Sequence, residues 1–348
     1  MKYIPEDTKA ELAEAFGAHA TALKKIGGGE DWSDGTVFSF PSPDGKGQRV
    51  LKILDIRVDD QDALLKAEER LEAVSWLGSQ GARIVTPIPQ ANGKVFEERT
   101  AEGKRFLAYS YAFVRGRSVQ DEPCSRSGAF YVAVGETLAG LHAAWEARAD
   151  EVDAAGRSKN YPHLNLWSEE MAFFREWGKE PRVHVAWDHL RHALDGHSRA
   201  RSEFGFVHND AHVWNMLFDP GTIPPGKDGQ PRSGEPELHL IDFDVAGQNW
   251  FLNDCAAALF SFLQMTNFRI GYPNPLGPGY RDWAFSHFWE GYRRKREVSE
   301  PWLKDLDLFL QYRRCLLYVA MQGETEKDPA WREAWIKEIE AEDKKLFG

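Results

Sequence analysis

The sequence predicts an α+β fold in two lobes: an antiparallel, β-rich N-lobe over residues 1–113 and a mostly helical C-lobe over 114–348. Three observations predict it. Short β-like runs separated by Gly- and Pro-rich turns fill the first third. One helical stretch interrupts them. Long helical periods, rich in Trp and Leu, then dominate to the end. A length of 348 residues is enough to bury two such cores.

The elements follow in order. Residues 6–26 read as an amphipathic helix leading towards a strand. Ile26 to Gly35 form a glycine-rich turn, and Thr36-Val37-Phe38-Ser39-Phe40 a strand. Pro41 to Gly47 turn the chain back into Arg49-Val50-Leu51-Lys52-Ile53-Leu54, which completes a meander. Residues 60–80 change to a helical period, with Leu64, Leu71, Val74 and Leu77 on one face and Gly81 as the stop. Strands are expected near Val95-Phe96-Glu97 and over Phe106 to Val114, before Arg115-Gly116-Arg117 breaks the run. Ala129 to Ala147 is a helix with Val132, Leu138, Leu141 and Trp145 on its apolar side, and 168–200 and 280–345 are mostly helical. Between them Phe206 to His208, Trp214 to Phe218 and Leu238 to Asp242 read as strands.

Composition narrows the function classes. A net charge of -11 argues against a general nucleic-acid binder, which needs a basic face. It is compatible with a cationic ligand, although many proteins are acidic for solubility alone. No apolar run approaches the roughly 20 residues that cross a bilayer, and the N-terminus lacks the apolar core of a signal peptide. The three cysteines, Cys124, Cys255 and Cys315, lie far apart without metal-type spacing, so a disulfide framework or zinc site is not expected. A reducing cytoplasm is the expected compartment.

The segment His208-Asn209-Asp210-Ala211-His212-Val213-Trp214-Asn215, followed by Ile241-Asp242-Phe243-Asp244, carries the chemistry. Its H-x-D-x-x-x-x-N spacing and the strand ending in Asp match a protein-kinase-like catalytic loop and metal-binding aspartate. Phosphoryl transfer needs one carboxylate facing the acceptor hydroxyl, and Asp210 is placed for that. It also needs hard oxygens that hold Mg2+ against the nucleotide phosphates, a part for Asn215 and Asp242. A rival reading joins His208, His212 and Asp242 as a hydrolase metal centre, but the two histidines sit on a loop rather than on the helix such spacing wants.

Lys52 interrupts an apolar strand that follows the glycine turn, where a lysine can reach the α- and β-phosphates of ATP. Its partner is expected on the next helix. Glu68 shares the face of Leu64 and Leu71, whereas Glu69 points the other way, so Glu68 is favoured. Gly29 in the turn would bring bare backbone N–H groups to phosphate, and Ser33 would add a hydrogen bond.

On these residues the chain resembles the aminoglycoside phosphotransferase / choline kinase family, small-molecule relatives of protein kinases. The resemblance also rests on Gly135-Glu136-Thr137-Leu138-Ala139-Gly140-Leu141-His142, similar to the family's G-x-x-L-A-x-L-H helix, and on Asn253-Asp254-Cys255-Ala256. It implies a two-lobed protein-kinase-like fold, ATP or GTP as donor with Mg2+, and a small-molecule hydroxyl acceptor such as an aminoglycoside, amino alcohol, sugar or amino acid. It implies Asp210 as base, Asn215 and Asp242 as metal ligands, Lys52 as the phosphate lysine and Asp254 as a brace behind the loop. The nucleotide would lie near a hinge at Tyr111-Ala112-Phe113-Val114, against Ala112 and Val114.

The chain also departs from the family pattern. Asn209 stands where the family often has Gly, and Val213-Trp214 where it often has Pro-Gly. Trp214 is expected either beneath the loop or narrowing the acceptor site. A Pro/Gly-rich insertion, Pro220 to Pro236, occupies the hairpin tip before Asp242. A protein kinase is disfavoured because Asp244 replaces the glycine of D-F-G and no A-P-E appears. Trp250, Phe251, Tyr272, Trp283, Trp289 and Tyr292, with Asp188, Asp244 and Glu290, are candidates for a cationic acceptor's pocket, although core packing is the favoured reading for any single aromatic. A nucleotide-binding pseudoenzyme is the alternative from another class.

Overall fold

The computed structural model describes residues 3–29, 35–114, 116, 127–148, 150–219, 222–223, 232–233, 237–265 and 270–348. The chain divides into two compact units, Met1–Arg115 and Gly116–Gly348.

The first unit contains α1 (Glu6–Ala15), β1 (Lys24–Gly28), β2 (Gly35–Pro41), β3 (Gln48–Arg57), α2 (Gln61–Ser79), β4 (Phe96–Ala101) and β5 (Lys104–Ala112). The strands form one antiparallel sheet in the order β1-β2-β3-β5-β4. The helix expected over 6–26 ends at Ala15, because Gly17 takes a left-handed φ of 73° and turns the chain away. Glu102 (φ 50°) and Gly103 (φ 74°) form the tight β4–β5 turn. The two faces of the sheet pack differently. Leu51 and Ile53 point with Phe38, Phe40 and Phe106 towards Leu12, Ala13 and Phe16 of the α1 segment. Leu54, Leu107 and Tyr109 point the other way, onto Leu64, Ala67 and Leu71 of α2. Asp60 caps α2 by accepting the Ala63 N–H at 2.9 Å.

The second unit holds α3 (Gly128–Arg148), β6 (Asn165–Leu166), α4 (Trp167–Trp177), α5 (Pro181–Asp195), β7 (Phe204–Val207), β8 (Met216–Asp219), β9 (Thr222–Ile223), β10 (Arg232–Ser233), β11 (Glu237–Leu240), β12 (Gly247–Trp250), α6 (Phe251–Gln264), α7 (Tyr280–Arg293), α8 (Glu300–Lys304), α9 (Leu306–Ala320), α10 (Gln322–Thr325) and α11 (Pro329–Phe347). The span 168–200 is therefore two helices, separated where Gly178 leaves the helical conformation and Pro181 starts the next. Trp214 and Asn215 lie in a 3₁₀ turn, so the strand expected from Trp214 starts at Met216. β8 and β11 form an antiparallel hairpin, and β9 pairs with β10 inside the insertion. The remaining residues of Pro220 to Pro236 lie outside the described set.

Helices α3 and α7 cross at two glycines. A Cβ on Gly135 would sit 2.1 Å from the Phe288 carbonyl oxygen, and one on Gly291 would sit 2.0 Å from that of Val132. The first position of the G-x-x-L-A-x-L-H segment is thus glycine because a backbone passes against it. Cys255 and Cys315 are buried free thiols, and Cys124 lies outside the described residues. Among the described residues no helix is long and apolar enough to cross a membrane.

Candidate active site

The loop 208–215 leaves β7 and enters β8, and its shape is dictated by a carboxylate behind it. Asp254, fully buried on α6, accepts the His208 N–H and the Asn209 N–H, each at 2.8 Å. Two backbone donors that β7 no longer satisfies therefore have a charged acceptor. Asp254 also lies 3.3 Å from His142 Nε2, while His142 Nδ1 is 2.8 Å from the Tyr292 hydroxyl. Burial holds the His142 pKa down against the pull of Asp254, so a neutral ring links helix α3 to the loop. This is the work of the histidine that ends G-x-x-L-A-x-L-H.

Asn209 answers the first departure from the family pattern. Its φ is 64°, a left-handed conformation that asparagine tolerates better than most residues. Its side chain is tied down too. Nδ2 donates to the Val245 carbonyl at 3.1 Å, and Oδ1 accepts from Asn249 at 3.1 Å and Asn253 at 3.2 Å. Glycine would supply the backbone angle without these three bonds.

His208 is satisfied in place. Its Nε2–H donates to the Ile241 carbonyl at 2.8 Å, and its Nδ1 accepts the Asp210 N–H at 3.2 Å. Both ring nitrogens are committed to backbone, so His208 cannot ligate a metal through either. Among the described residues, no three His, Cys, Asp or Glu side chains converge as metal ligands. The hydrolase-type centre of His208, His212 and Asp242 is therefore set aside.

The loop presents Asp210 with a side chain 33% exposed. Arg313 Nη2 of α9 donates to Asp210 Oδ1 at 2.7 Å. Asp210 Oδ2 lies 3.2 Å from His212 Nε2 and 3.4 Å from Asn215 Nδ2. Burial alone would raise the Asp210 carboxyl, but the Arg313 charge and then His212 override it and hold it well below the usual carboxylate range. Asn215 Nδ2 donates to the Asp210 carbonyl at 3.0 Å, which leaves Oδ1 as the amide atom able to ligate a cation. Ile241 N–H donates to the Asn215 carbonyl at 2.9 Å, tying the β11 end to the loop just before Asp242. Asp242 is exposed, with a left-handed φ of 67°. Phe243, the next residue, packs its ring against His208 and Phe206. An amide oxygen and a carboxylate are both hard donors. That suits Mg2+, which takes its other ligands from phosphate and water.

Trp214 is half-buried, with its ring edge-on to His212, while Val213 is the residue fully buried beneath the loop.

In the first unit, Lys52 is 8% exposed and sits on β3, the central strand, paired with Val37 and Tyr109. It alternates with Leu51 and Ile53, so its side chain leaves the sheet on the α2 face. Glu68 of that helix lines a recess of about 500 Å³ with Lys94, Phe96 and Glu98. Gly28 (φ 65°) and Gly29 (φ 84°) form the start of the glycine turn, and a Cβ on Gly28 would sit 2.1 Å from the Gly35 carbonyl oxygen. Ser33 lies outside the described residues. Ala112 ends β5 and Val114 lies two residues beyond it.

The aromatic candidates for the acceptor pocket mostly resolve into core. Trp250, Phe251 and Tyr292 are fully buried and Trp289 nearly so, whereas Tyr272 and Trp283 remain partly exposed. Asp188 is paired with Arg175 at 3.0 Å and Glu290 with Arg294 at 2.6 Å on the surface. Residues that sequence reasoning missed stand nearer the loop. Glu170 on α4 accepts the Tyr312 hydroxyl of α9, and Arg313 holds Asp210. No spacing rule links positions 170, 210 and 313. An arginine inside the apolar period of α9 was the available signal.

Residues 42–298, more than half of the chain, match the phosphotransferase enzyme family. The chain belongs to that family. Amicoumacin kinase of Bacillus subtilis (strain 168) is 26% identical over 270 residues, covering 74% of this chain and 72% of that protein. Solved structures share the fold. An amicoumacin kinase, hAmiN, in complex with AMP-PNP, Ca2+ and Ami superposes with a TM-score of 0.76 at 22% identity, over 98% of this chain and 94% of that one. A microcompartment-associated aminopropanol kinase gives 0.63 at 18% identity, over 96% and 94%. The two-lobed, kinase-like α+β expectation thus holds. The family match ends at residue 298, before α9 begins, so Tyr312 and Arg313 lie beyond it.

Proposed function

We propose that this member of the phosphotransferase enzyme family moves the γ-phosphate of ATP, or GTP, to a hydroxyl of a small molecule with Mg2+ as the ion. The observation that carries the reading is the loop geometry. Asp254 accepts the two backbone N–H groups just before a partly exposed Asp210, Asn209 ties down the same stretch, and Asn215 donates Nδ2 to the Asp210 carbonyl, while Asn215 and Asp242 are read as the hard oxygen donors. The acceptor hydroxyl hydrogen-bonds to Asp210. As its oxygen bonds to phosphorus, the bond to the ADP oxygen breaks, and the proton passes to the Asp210 carboxylate. A carboxylate that is a weak base suits a loose transition state, where proton loss comes late and aligning the hydroxyl matters most. Mg2+, when bound, neutralises charge on the phosphates. Asn215 and Asp242 are the residues to hold it.

In the first unit, Lys52 is read as the lysine for the α- and β-phosphates, oriented by Glu68 or its neighbour Glu69 on α2. Gly29 and Ser33 cover the phosphates, and the backbone at Ala112 and Val114 receives the base. The acceptor class follows the relatives, whose names give amicoumacin and aminopropanol. An amine-bearing alcohol is the first candidate, and the net charge of -11 supports a cationic one. A cytoplasmic location fits such a metabolite kinase.

The test is ADP release from Mg-ATP and Mg-GTP across amino alcohols, aminoglycosides, sugars and amino acids. At least one acceptor should raise the rate well above that with water. Lys52→Met and Asp242→Ala should each weaken nucleotide use about tenfold or more. A wild-type protein that binds no nucleotide and phosphorylates none of these acceptors would end the reading.

A further inference from the structure

Two adjacent residues of α9 each hold a carboxylate from another element. Tyr312 donates its hydroxyl to Glu170 of α4, and Arg313 donates Nη2 to Asp210 Oδ1 at 2.7 Å. Arg313 is only 5% exposed. Burying a guanidinium forfeits its hydration, and an apolar side chain of similar size would pack there at less cost. The charge of such an arginine needs a partner, and its partner here is the side chain read above as the base.

The pairing is one-sided. Arg313 takes Oδ1, while Oδ2 is flanked by His212 Nε2 at 3.2 Å and Asn215 Nδ2 at 3.4 Å. Rotation about the Cβ–Cγ bond of an aspartate is soft, so an untethered carboxylate presents a spread of directions. A charged donor on one oxygen removes that freedom and aims the other.

We propose that Arg313 is a positioning residue for phosphoryl transfer: it anchors Asp210 through Oδ1 so that Oδ2 receives the hydrogen bond of the attacking hydroxyl. This rests on the reading of Asp210 as base. Arg313 itself touches neither donor nor acceptor in this role. It works through the direction it gives to Asp210, where a misplacement of about 1 Å is worth on the order of 100-fold in rate. Tyr312 steadies the same turn of α9 by gripping α4 through Glu170.

The experiment measures ADP release from Mg-ATP, with aminopropanol and with water alone as acceptor. The proteins are wild type, Asp210→Asn, Arg313→Gln, Arg313→Lys and Arg313→Ala, the last with and without added guanidinium. Arg313→Gln should lower kcat about tenfold or more wherever wild type exceeds Asp210→Asn, with KM for ATP changed less than about twofold. Arg313→Lys should recover part of that loss, and guanidinium should raise the rate of Arg313→Ala while leaving wild type unchanged. A kcat for Arg313→Gln equal to wild type overturns the role. So does a loss matched by a fall in thermal midpoint and recovered by neither lysine nor guanidinium. A wild type no faster than Asp210→Asn in both arms overturns the base assignment itself, and the proposal with it.

Discussion

Helices α6 and α9 each reach the loop 208–215 with one charged side chain, but they grip different parts of it. Asp254 of α6 holds backbone: two N–H groups, with a buried histidine behind. Arg313 of α9 holds a side chain, the Asp210 carboxylate. The first grip makes the loop exist, and the second directs what it presents. A backbone brace should therefore fail as lost stability, and a side-chain anchor as lost turnover in a protein that still folds.

The largest effect expected on stability comes from removing the brace. Asp254→Ala leaves the His208 and Asn209 N–H groups and His142 Nε2 without their acceptor in the core, at a cost of about 3–5 kcal/mol. Thermal unfolding should show a large fall in midpoint and loss of activity together. A variant with a wild-type midpoint would dissolve the contrast between the two helices.

A smaller effect separates the two duties of Asn209. Asn209→Gly keeps access to the left-handed φ of 64° and loses three hydrogen bonds, whereas Asn209→Ala loses both. Alanine should be the less stable by about 1 kcal/mol, read from the difference in thermal midpoint. Equal midpoints would show that the backbone angle is not what asparagine supplies.

A pH-dependent effect tests the α9 side. Burial raises the Glu170 carboxyl to about 7, against the Tyr312 hydroxyl and the Arg313 charge, which lower it. The folded state then binds this proton more tightly than the unfolded state, whose carboxyl titrates at the ordinary value of 4.5. Stability from this group is present in full below that value and is lost as pH rises through about 7. Glu170→Gln lacks the titration. Its midpoint should gain on wild type by a few degrees between pH 5 and pH 8. A pH-independent difference would remove Glu170 as a buried titrating group.

Much of this was legible in the sequence, for physical reasons. The meander, α2 and α3 follow from periodicity, and Asp210, Asn215 and Asp242 from a spacing set by phosphoryl chemistry. Asp254 was legible only through resemblance, since nothing local marks an aspartate 44 positions after Asp210 as its brace. The glycine of G-x-x-L-A-x-L-H was legible as a motif, but its reason, the Phe288 carbonyl, lies on another helix, more than 150 residues further along the chain. Arg313 and Glu170 were not legible, because contacts across more than a hundred residues leave no period. The choice between aromatic pocket and core, with core favoured for any single ring, could not be closed from sequence for a related reason. Composition says that Trp and Tyr are present, while burial decides whether they line a site or fill a core, and Trp250, Phe251 and Tyr292 fill the core.

The most direct measurement is steady-state phosphoryl transfer by Asp210→Asn, beside its thermal midpoint with and without Mg-ATP. Asparagine keeps the shape and removes the proton acceptor. The account predicts a fold that still gains stability from Mg-ATP and a kcat lowered about 100-fold or more. Undiminished turnover would contradict it.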